Sequence, residues 1–501
     1  MGNTTPTLDR LDPPPHAPGG DVAEHSKAFY ALLIVALAWP TVVLSMSGLL
    51  LGNAQALIAQ HFHTTQIAWF TLITTLVSTM SVPFLIKAAD MFGKKRVMVV
   101  ASVIGVVGET LCALAPTWGL MLSARFLVGI YAVVTALTYS IIRDVFPAKW
   151  VGTASGIVAT STGLTALAGP WLSGWLQDNH GFRGVLWFLA LNSAFALVLL
   201  VAFVPESPLR APRTSFDWLG GVLLGGSATA LVYGIGEGSK WGWTDPLTLF
   251  YLIGGVAAFI AFVLVEHRVA HPLLDVRLLR ERRLLLILLS SGMAAGVLFS
   301  TGTINQLLAL YPKIPGISEG LGYTATENAA LGVHSSILLL LCGAAVGLIA
   351  NRYSAKLTLV AGLVLSIAGV LLMYGNHYEK WQFIAFGPFF SVGMGLVLAS
   401  GPILIIGAVK PEDQATANGV GSLVTGVLGA ISTQVIFSIL GDSGTVLQGT
   451  QFYSDDGYRT AFLAGAGMLA VALVLALLIP KVRTPVEAVE ADEAAMTRPG
   501  A

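Results

Sequence analysis

Two stretches, AADMFGKKRVMVVA at Ala88–Ala101 and IANRYSAKLTLVAG at Ile349–Gly362, resemble each other at an offset near 262 residues. Each joins two apolar runs. A second pair, GTASGIV at Gly152–Val158 and ATANGVG at Ala415–Gly421, recurs at nearly the same offset and again opens a run. Chance likeness between apolar stretches is the competing explanation, and two matches at nearly one offset count against it. Parallel repeats about an axis along the membrane normal mark chains that rock two halves around a central site.

The composition agrees with a membrane chain. Hydrophobic residues make up 55% of the 501 and charged residues 11%, against about 25% charge in a soluble domain. Mean hydropathy is +0.77. These values exclude an ordinary soluble enzyme, a disordered chain and a nucleic-acid binder. Lys+Arg and Asp+Glu are both 27, so no basic surface is left over for phosphates. Glycine is abundant at 55 residues, and membrane helices use it to pack closely. Cys112 and Cys342 lie inside apolar runs and read as small packing residues.

A bilayer span needs about 20 apolar residues. Six runs lie at roughly 28–51, 65–86, 97–115, 118–142, 151–176 and 184–203. Two follow at 217–236 and 246–265. Six more lie at 284–311, 326–350, 355–374, 380–409, 415–440 and 458–479. The expected fold is therefore all-α and membrane-integral, with 14 transmembrane helices. It divides into a six-helix bundle at 28–203, a linker with two helices at 204–283 and a second bundle at 284–480. The ends 1–27 and 481–501 read as cytoplasmic tails, the first polar, Pro-rich and disordered. No cleavable signal peptide is expected, because the first run is long and lacks a small-residue cleavage site. The positive-inside rule tests the count. With both termini cytoplasmic, that side holds 21 of the 27 Lys+Arg. The other side holds five: Arg183, Lys240, Lys313, Lys380 and Arg459. The protein is expected in the cell (inner) membrane.

Several motifs carry a family resemblance. Asp90-Met91-Phe92-Gly93-Lys94-Lys95-Arg96 resembles the loop motif between spans 2 and 3 of the major facilitator superfamily. Leu122–Gly129, which contains Arg125, is similar to its span 4 motif. Gly163, Gly169, Pro170 and Gly174 resemble its span 5 "antiporter" motif. Phe216–Gly220, Tyr233–Gly238 and Trp241–Thr244 resemble the span 7 signature of the fourteen-helix drug–proton antiporter branch, as does His271–Asp275 after span 8. The resemblance covers about residues 28–480. It implies a non-enzymatic transporter with alternating access, gated at the Asp90 loop and packed at span 5 for export. The chain departs from the pattern at Ile86-Lys87, where the family usually has Gly, and at Val128, where it often has Gln.

Each motif also has a physical reading. A carboxylate at Asp90 would pair with a basic group or helix N-terminus of the other half and latch one conformation. The plainer alternative is a basic loop that only sets topology. Pro170 kinks its helix, and the glycines around it admit close approach.

An ionisable group at mid-bilayer costs about 2.5–3.5 kcal/mol, so the few present are candidates for proton coupling. Arg125 and Glu109 share a depth of about 10 Å on a short hairpin and are expected to pair. The alternatives are a static ion pair or a Glu109 facing lipid. The resemblance implies that Arg125 faces a central cavity. His334, about 12 Å deep, is of a residue type able to carry a proton or line the cavity; the alternative is a neutral histidine bonded to a neighbouring helix.

Span 1 contains no acid, where the branch usually carries an Asp. Its polar residues include Ser45, Asn53 and Gln55, and Asn305 and Gln306 occupy the repeat-related span 9. Neutral amides suit neutral, zwitterionic or amphipathic ligands, or serve as interhelical packing bonds. Trp171, Trp175, Trp187, Trp241 and Trp243 read as interfacial anchors. The leading expectation is a proton-coupled exporter of amphipathic drugs or metabolites. Its partners are the bilayer, protons and a small substrate, with no nucleic acid, cofactor or metal; a periplasmic adaptor is unknown. The alternatives are a proton-independent facilitator and a lipid-binding or partner scaffold. The outer loops Tyr311–Thr324 and Gly441–Gly457 are the long ones, and the first reads as a connector rather than a gate.

Overall fold

The computed structural model describes residues 26–208, 210, 215–269, 277–352, 354–409 and 414–480. The expected tails lie outside the described residues, apart from Ser26 and Lys27, and so does the His271–Asp275 motif.

The first bundle contains α1 (Lys27–Phe62), α2 (Trp69–Phe92), α3 (Lys94–Leu114), α4 (Trp118–Ile130), α5 (Val133–Val145) and α6 (Ala148–Phe203). Helices α7 (Trp218–Trp241) and α8 (Pro246–Glu266) follow. The second bundle contains α9 (Arg282–Leu310), α10 (Ala325–Arg352), α11 (Ala355–Gly375), α12 (Lys380–Ala408), α13 (Gln414–Asp442) and α14 (Asp455–Leu477). Two hairpins, β1–β2 (Lys313–Ile314 and Ser318–Glu319) and β3–β4 (Gly444–Leu447 and Thr450–Tyr453), interrupt it.

Local sequence sets the helix ends. The Ser26 side chain accepts the Phe29 N–H and opens α1. Asp245 accepts the Leu247 N–H and opens α8, with Pro246 at its first position. Pro lacks the N–H that a helix start leaves unbonded, so it fits there.

Thirteen helical stretches are long and apolar enough to cross a bilayer among the described residues. Helices α4 and α5 form one of these, Trp118–Val145. Another, Trp150–Phe203, has 54 residues, about 80 Å of helix against a hydrocarbon core of about 30 Å. It breaks at Gly181, whose φ of 65° and ψ of −177° are not helical. The crossings therefore number about fourteen, and the chain is an all-α membrane protein.

The buried core falls into two clusters. One comprises Leu33–Val43, Ala89, Met98, Tyr131–Phe146, Val158, Leu200 and their neighbours, all from the first bundle. It lies toward the face where α1 begins, here called the terminal face. The other joins the remaining half of the first bundle (Leu50, Ile58, Phe70, Leu186) to the second bundle (Leu298, Leu308, Leu440, Phe462). Among the described residues, the bundles thus share a core only in the half of the membrane away from the terminal face. Their close approaches agree: Gly163 faces Leu340 and Gly426 faces Thr79 near mid-membrane, and Gly174 faces Thr326 at the far face.

The far face is also closed by β3–β4, which reaches back to the first bundle. Thr450 Oγ1 donates to Ala59 O at 3.5 Å, and Gly449 sits against His63. Beneath it, Tyr311 packs against Phe452 and Tyr453. Burial pushes the phenols of Tyr311 and Tyr453 above their ordinary range, so both stay neutral. The five tryptophans expected as anchors are all exposed.

The backbone of Gly181 occupies a region essentially restricted to glycine, and no atom lies within 4 Å of a Cβ added there. Gly181→Ala therefore tests backbone strain alone. We expect it to lower stability by about 1–3 kcal/mol, read as a fall in the unfolding temperature in detergent. Gly254→Ala, at an open helical position, should not lower that temperature, because Ala favours a helix over Gly.

Candidate functional site

At the terminal face, the basic loop is braced within its own bundle. Lys94 Nζ lies 2.5 Å from Asp144 Oδ2, and both side chains are almost wholly buried. Ser207 Oγ donates to the same oxygen at 2.7 Å. The Lys95 and Arg96 N–H groups open α3 and donate to the Glu206 carboxylate at 2.9 and 3.3 Å. Glu206 fits there because Gly93 has no side chain; a Cβ would lie 2.9 Å from it. Asp90 is half-exposed and lies 3.8 Å from Lys94. Among the described residues it has no partner in the second bundle. Sequence reasoning missed Asp144 and Glu206. Their signal is an acid at the end of each neighbouring span, on the side that carries the basic triplet.

The glycine-bearing part of α6 lies between the bundles. Gly169 packs on Leu49 and Leu50 of α1, and Gly163 on Leu340 of α10. At Gly174 a Cβ would lie 2.7 Å from Thr326 Cα, so only glycine admits the α10 backbone. Pro170 lies in the same helix. Ser173 Oγ donates to Leu50 O at 2.9 Å and accepts from Gln177.

Glu109 and Arg125, both buried, are not paired with each other. Arg125 Nε donates to Phe70 O at 3.3 Å, and its guanidinium lies 4.7 Å from the Phe70 ring centroid. Glu109 Oε1 accepts from Ser47 Oγ at 3.0 Å. Glu109 Oε2 and Arg125 Nη1 are buried without a partner. The shared depth is real, since Gly108 packs on Ala124 and Val128. The rotation of each helix nevertheless turns Arg125 toward α2 and Glu109 toward α1. His334 Nε2 donates to Ile384 O at 3.0 Å, because a carbonyl can only accept. Its ring therefore bridges α10 and α12 inside the second bundle.

Two amide contacts form where α1 meets the second bundle. Asn53 Oδ1 accepts from Asn328 Nδ2 at 2.9 Å, across the bundles. Gln306 of α9 packs on Gly52. Gln55 is buried with neither amide atom bonded, and Asn305 Oδ1 also has no partner. Ser45 is turned back onto Thr41 O of its own helix. Asn328 was not anticipated. The ligands such a seam can hold are bound by neutral hydrogen bonds and apolar walls.

Two helical bundles meeting at a polar seam within the membrane define a secondary transporter rather than an enzyme. The chain belongs to the Major Facilitator Superfamily, whose sequence profile matches residues 31–312 and 306–499. Among its relatives is the tetracenomycin C resistance and export protein of Streptomyces glaucescens. The two are 26% identical over 430 residues, 82% of this chain and 77% of that one. The uridine/deoxyuridine transporter of Lactococcus lactis subsp. cremoris (strain MG1363) is 25% identical over 474 residues, 89% of this chain and 94% of that one. A similar fold is seen in the inward-facing, unoccupied structure of a bacterial homologue of the human lysosomal transporter Spinster. That comparison gives a TM-score of 0.63 at 14% identity, covering 91% of this chain and 98% of that one.

Removing one partner of a buried ion pair strands the other charge, at a cost of about 3–5 kcal/mol. Lys94→Met should therefore lower the unfolding temperature sharply. The double variant Lys94→Met/Asp144→Leu should recover most of the loss. Equal losses in the single and double variants would show that Asp144 does not need its cation.

Proposed function

We propose that this transporter exports amphipathic drugs or metabolites by alternating access, in exchange for protons. The observation that carries the reading is Glu109. Its carboxylate is buried in the first bundle, bonded by one oxygen to Ser47 on α1, while the other oxygen is unpartnered. An ionisable group at such depth is costly and is a functional candidate by default. A rocking motion that alters the fit between α1 and α3 changes the one bond holding the charge, and so changes proton binding. Arg125, on the adjoining helix, supplies a positive field, and it has a free buried donor of its own. His334, held inside the second bundle, is the weaker coupling candidate.

The seam residues Asn53, Gln55, Asn305 and Gln306 supply uncharged donors and acceptors, with Ser45 below them. They suit neutral, zwitterionic or amphipathic substrates. The relative that exports tetracenomycin C supports export, and the nucleoside relative extends the range to polar uncharged ligands. The core shared only at the far face supports a conformation with its cleft toward the terminal face. The excess of Lys and Arg in the tails and loops of that face supports cytoplasmic termini in the cell membrane. The braced loop from Asp90 to Arg96 then lies at the cytoplasmic mouth, where the freedom of Asp90 suits a latch made in the other conformation.

A second reading, a proton-independent facilitator, is favoured by the absence of any acid in α1. One experiment separates the two. The protein is reconstituted in vesicles with an amphipathic dye, and a pH gradient is imposed. The exporter reading expects gradient-driven dye movement that falls at least tenfold in Glu109→Gln, with downhill exchange retained. A rate equal with and without the pH step would establish the facilitator.

A further inference from the structure

The first turn of α10 has an almost complete hydrogen-bond account. Thr324 and Glu327 form a reciprocal cap: the Glu327 N–H donates to Thr324 Oγ1, and the Thr324 N–H donates to Glu327 Oε2, both at 3.1 Å. The Asn328 N–H donates to Thr324 O at 3.0 Å. Two donors remain, the Ala325 and Thr326 N–H groups. Both are taken by one carboxylate of the other bundle: Asp178 Oδ1 accepts from Ala325 N at 3.2 Å and Oδ2 from Thr326 N at 3.1 Å. Asp178 lies one turn beyond Gly174, the position that lets α10 approach α6. The geometry is that of an anion on a helix N-terminus, where backbone donors and the helix dipole both favour negative charge.

We propose that Asp178 is the positioning residue of the far gate, a carboxylate that holds the α10 N-terminus against α6 when the transporter is closed on the side away from its termini. The role rests on the alternating-access reading and adds a residue to it. Asp178 is exposed at the rim of the seam and contacts no buried charge, so it acts on the position of α10. Among the described residues, the other polar contacts along this seam are between neutral groups, such as Asn53 with Asn328. The neighbouring ion pair of Lys380 with Glu327 joins two residues of the second bundle, and it does not bridge the seam.

Spin-label distances test this without substrate or protons. Labels are placed at His180→Cys and Gly375→Cys, both exposed at the far face, in a Cys112→Ala/Cys342→Ser background. Three variants weaken the contact differently. Asp178→Asn removes the charge. Ala325→Pro removes one donor at the helix position that tolerates proline best and keeps every charge. Gly174→Val wedges the same seam sterically. We expect all three to enlarge a longer-distance population. For Asp178→Asn the rise should be about fivefold, the change that roughly 1 kcal/mol makes. A distribution identical to the parent in Asp178→Asn and in Ala325→Pro, with Gly174→Val opened, would overturn the latch. Distances unmoved by all three variants would overturn the rocking of the two bundles itself.

Discussion

A helix end leaves four backbone donors or acceptors open, and lipid offers them no partner. In this chain charged side chains fill several of these ends. Arg183 donates to Ala113 O and Ala115 O at the end of α3. Lys356 donates to Leu477 O and Ile479 O at the end of α14. Glu206 accepts from the start of α3, and Asp178 from the start of α10. Cations stand at carbonyl ends and anions at N–H ends, as the helix dipole favours. The first three contacts join elements of one bundle and make it a rigid body. The fourth joins the two bodies. One kind of interaction thus builds both the moving parts and a joint between them.

The presence and approximate number of the helices are legible in the sequence because they depend on run length, a property of the chain in one dimension. The close seam of α6 is legible for a related reason: glycines at 163, 169 and 174 have little use in a helix except to admit a neighbour. The break at Gly181 is subtler. The sequence shows two runs ending at 176 and starting at 184, whereas the backbone stays helical on both sides of a single unusual residue. What the sequence withholds is rotation about each helix axis. Glu109 and Arg125 were matched by depth, and their helices do touch, yet each side chain points to a different third helix. Asp178 is hidden from the sequence for the same reason. In one dimension it is a polar residue at a span end, and only the assembled bundles show which helix start it faces.

The two kinds of polar burial in the molecule have different consequences. Lys94 and Asp144 are buried together with a third group, Ser207, so the charges are paired and the loop is fixed. Such a pair is expensive to break and belongs in a part that does not move. The seam between the bundles is built the other way. Its contacts are amide to amide, glycine to backbone, and one rim carboxylate to two N–H groups. Hydrogen bonds between membrane helices average about 0.6 kcal/mol, so each of these can be broken and remade in a cycle.

The unpartnered amides sharpen that contrast. A buried polar group without a partner costs about 1–3 kcal/mol, and Gln55 of α1 and Asn305 of α9 both carry such atoms. In the closed arrangement this cost opposes the contacts made by Asp178, Asn53 and the packed glycines. A ligand or water reaching an opened seam would satisfy the same amides. The closed state is therefore held by a small difference between opposing terms. A protein that must visit two conformations needs them within a few kcal/mol of each other. Buried amides left unsatisfied by the fold bring the closed state nearer to that balance.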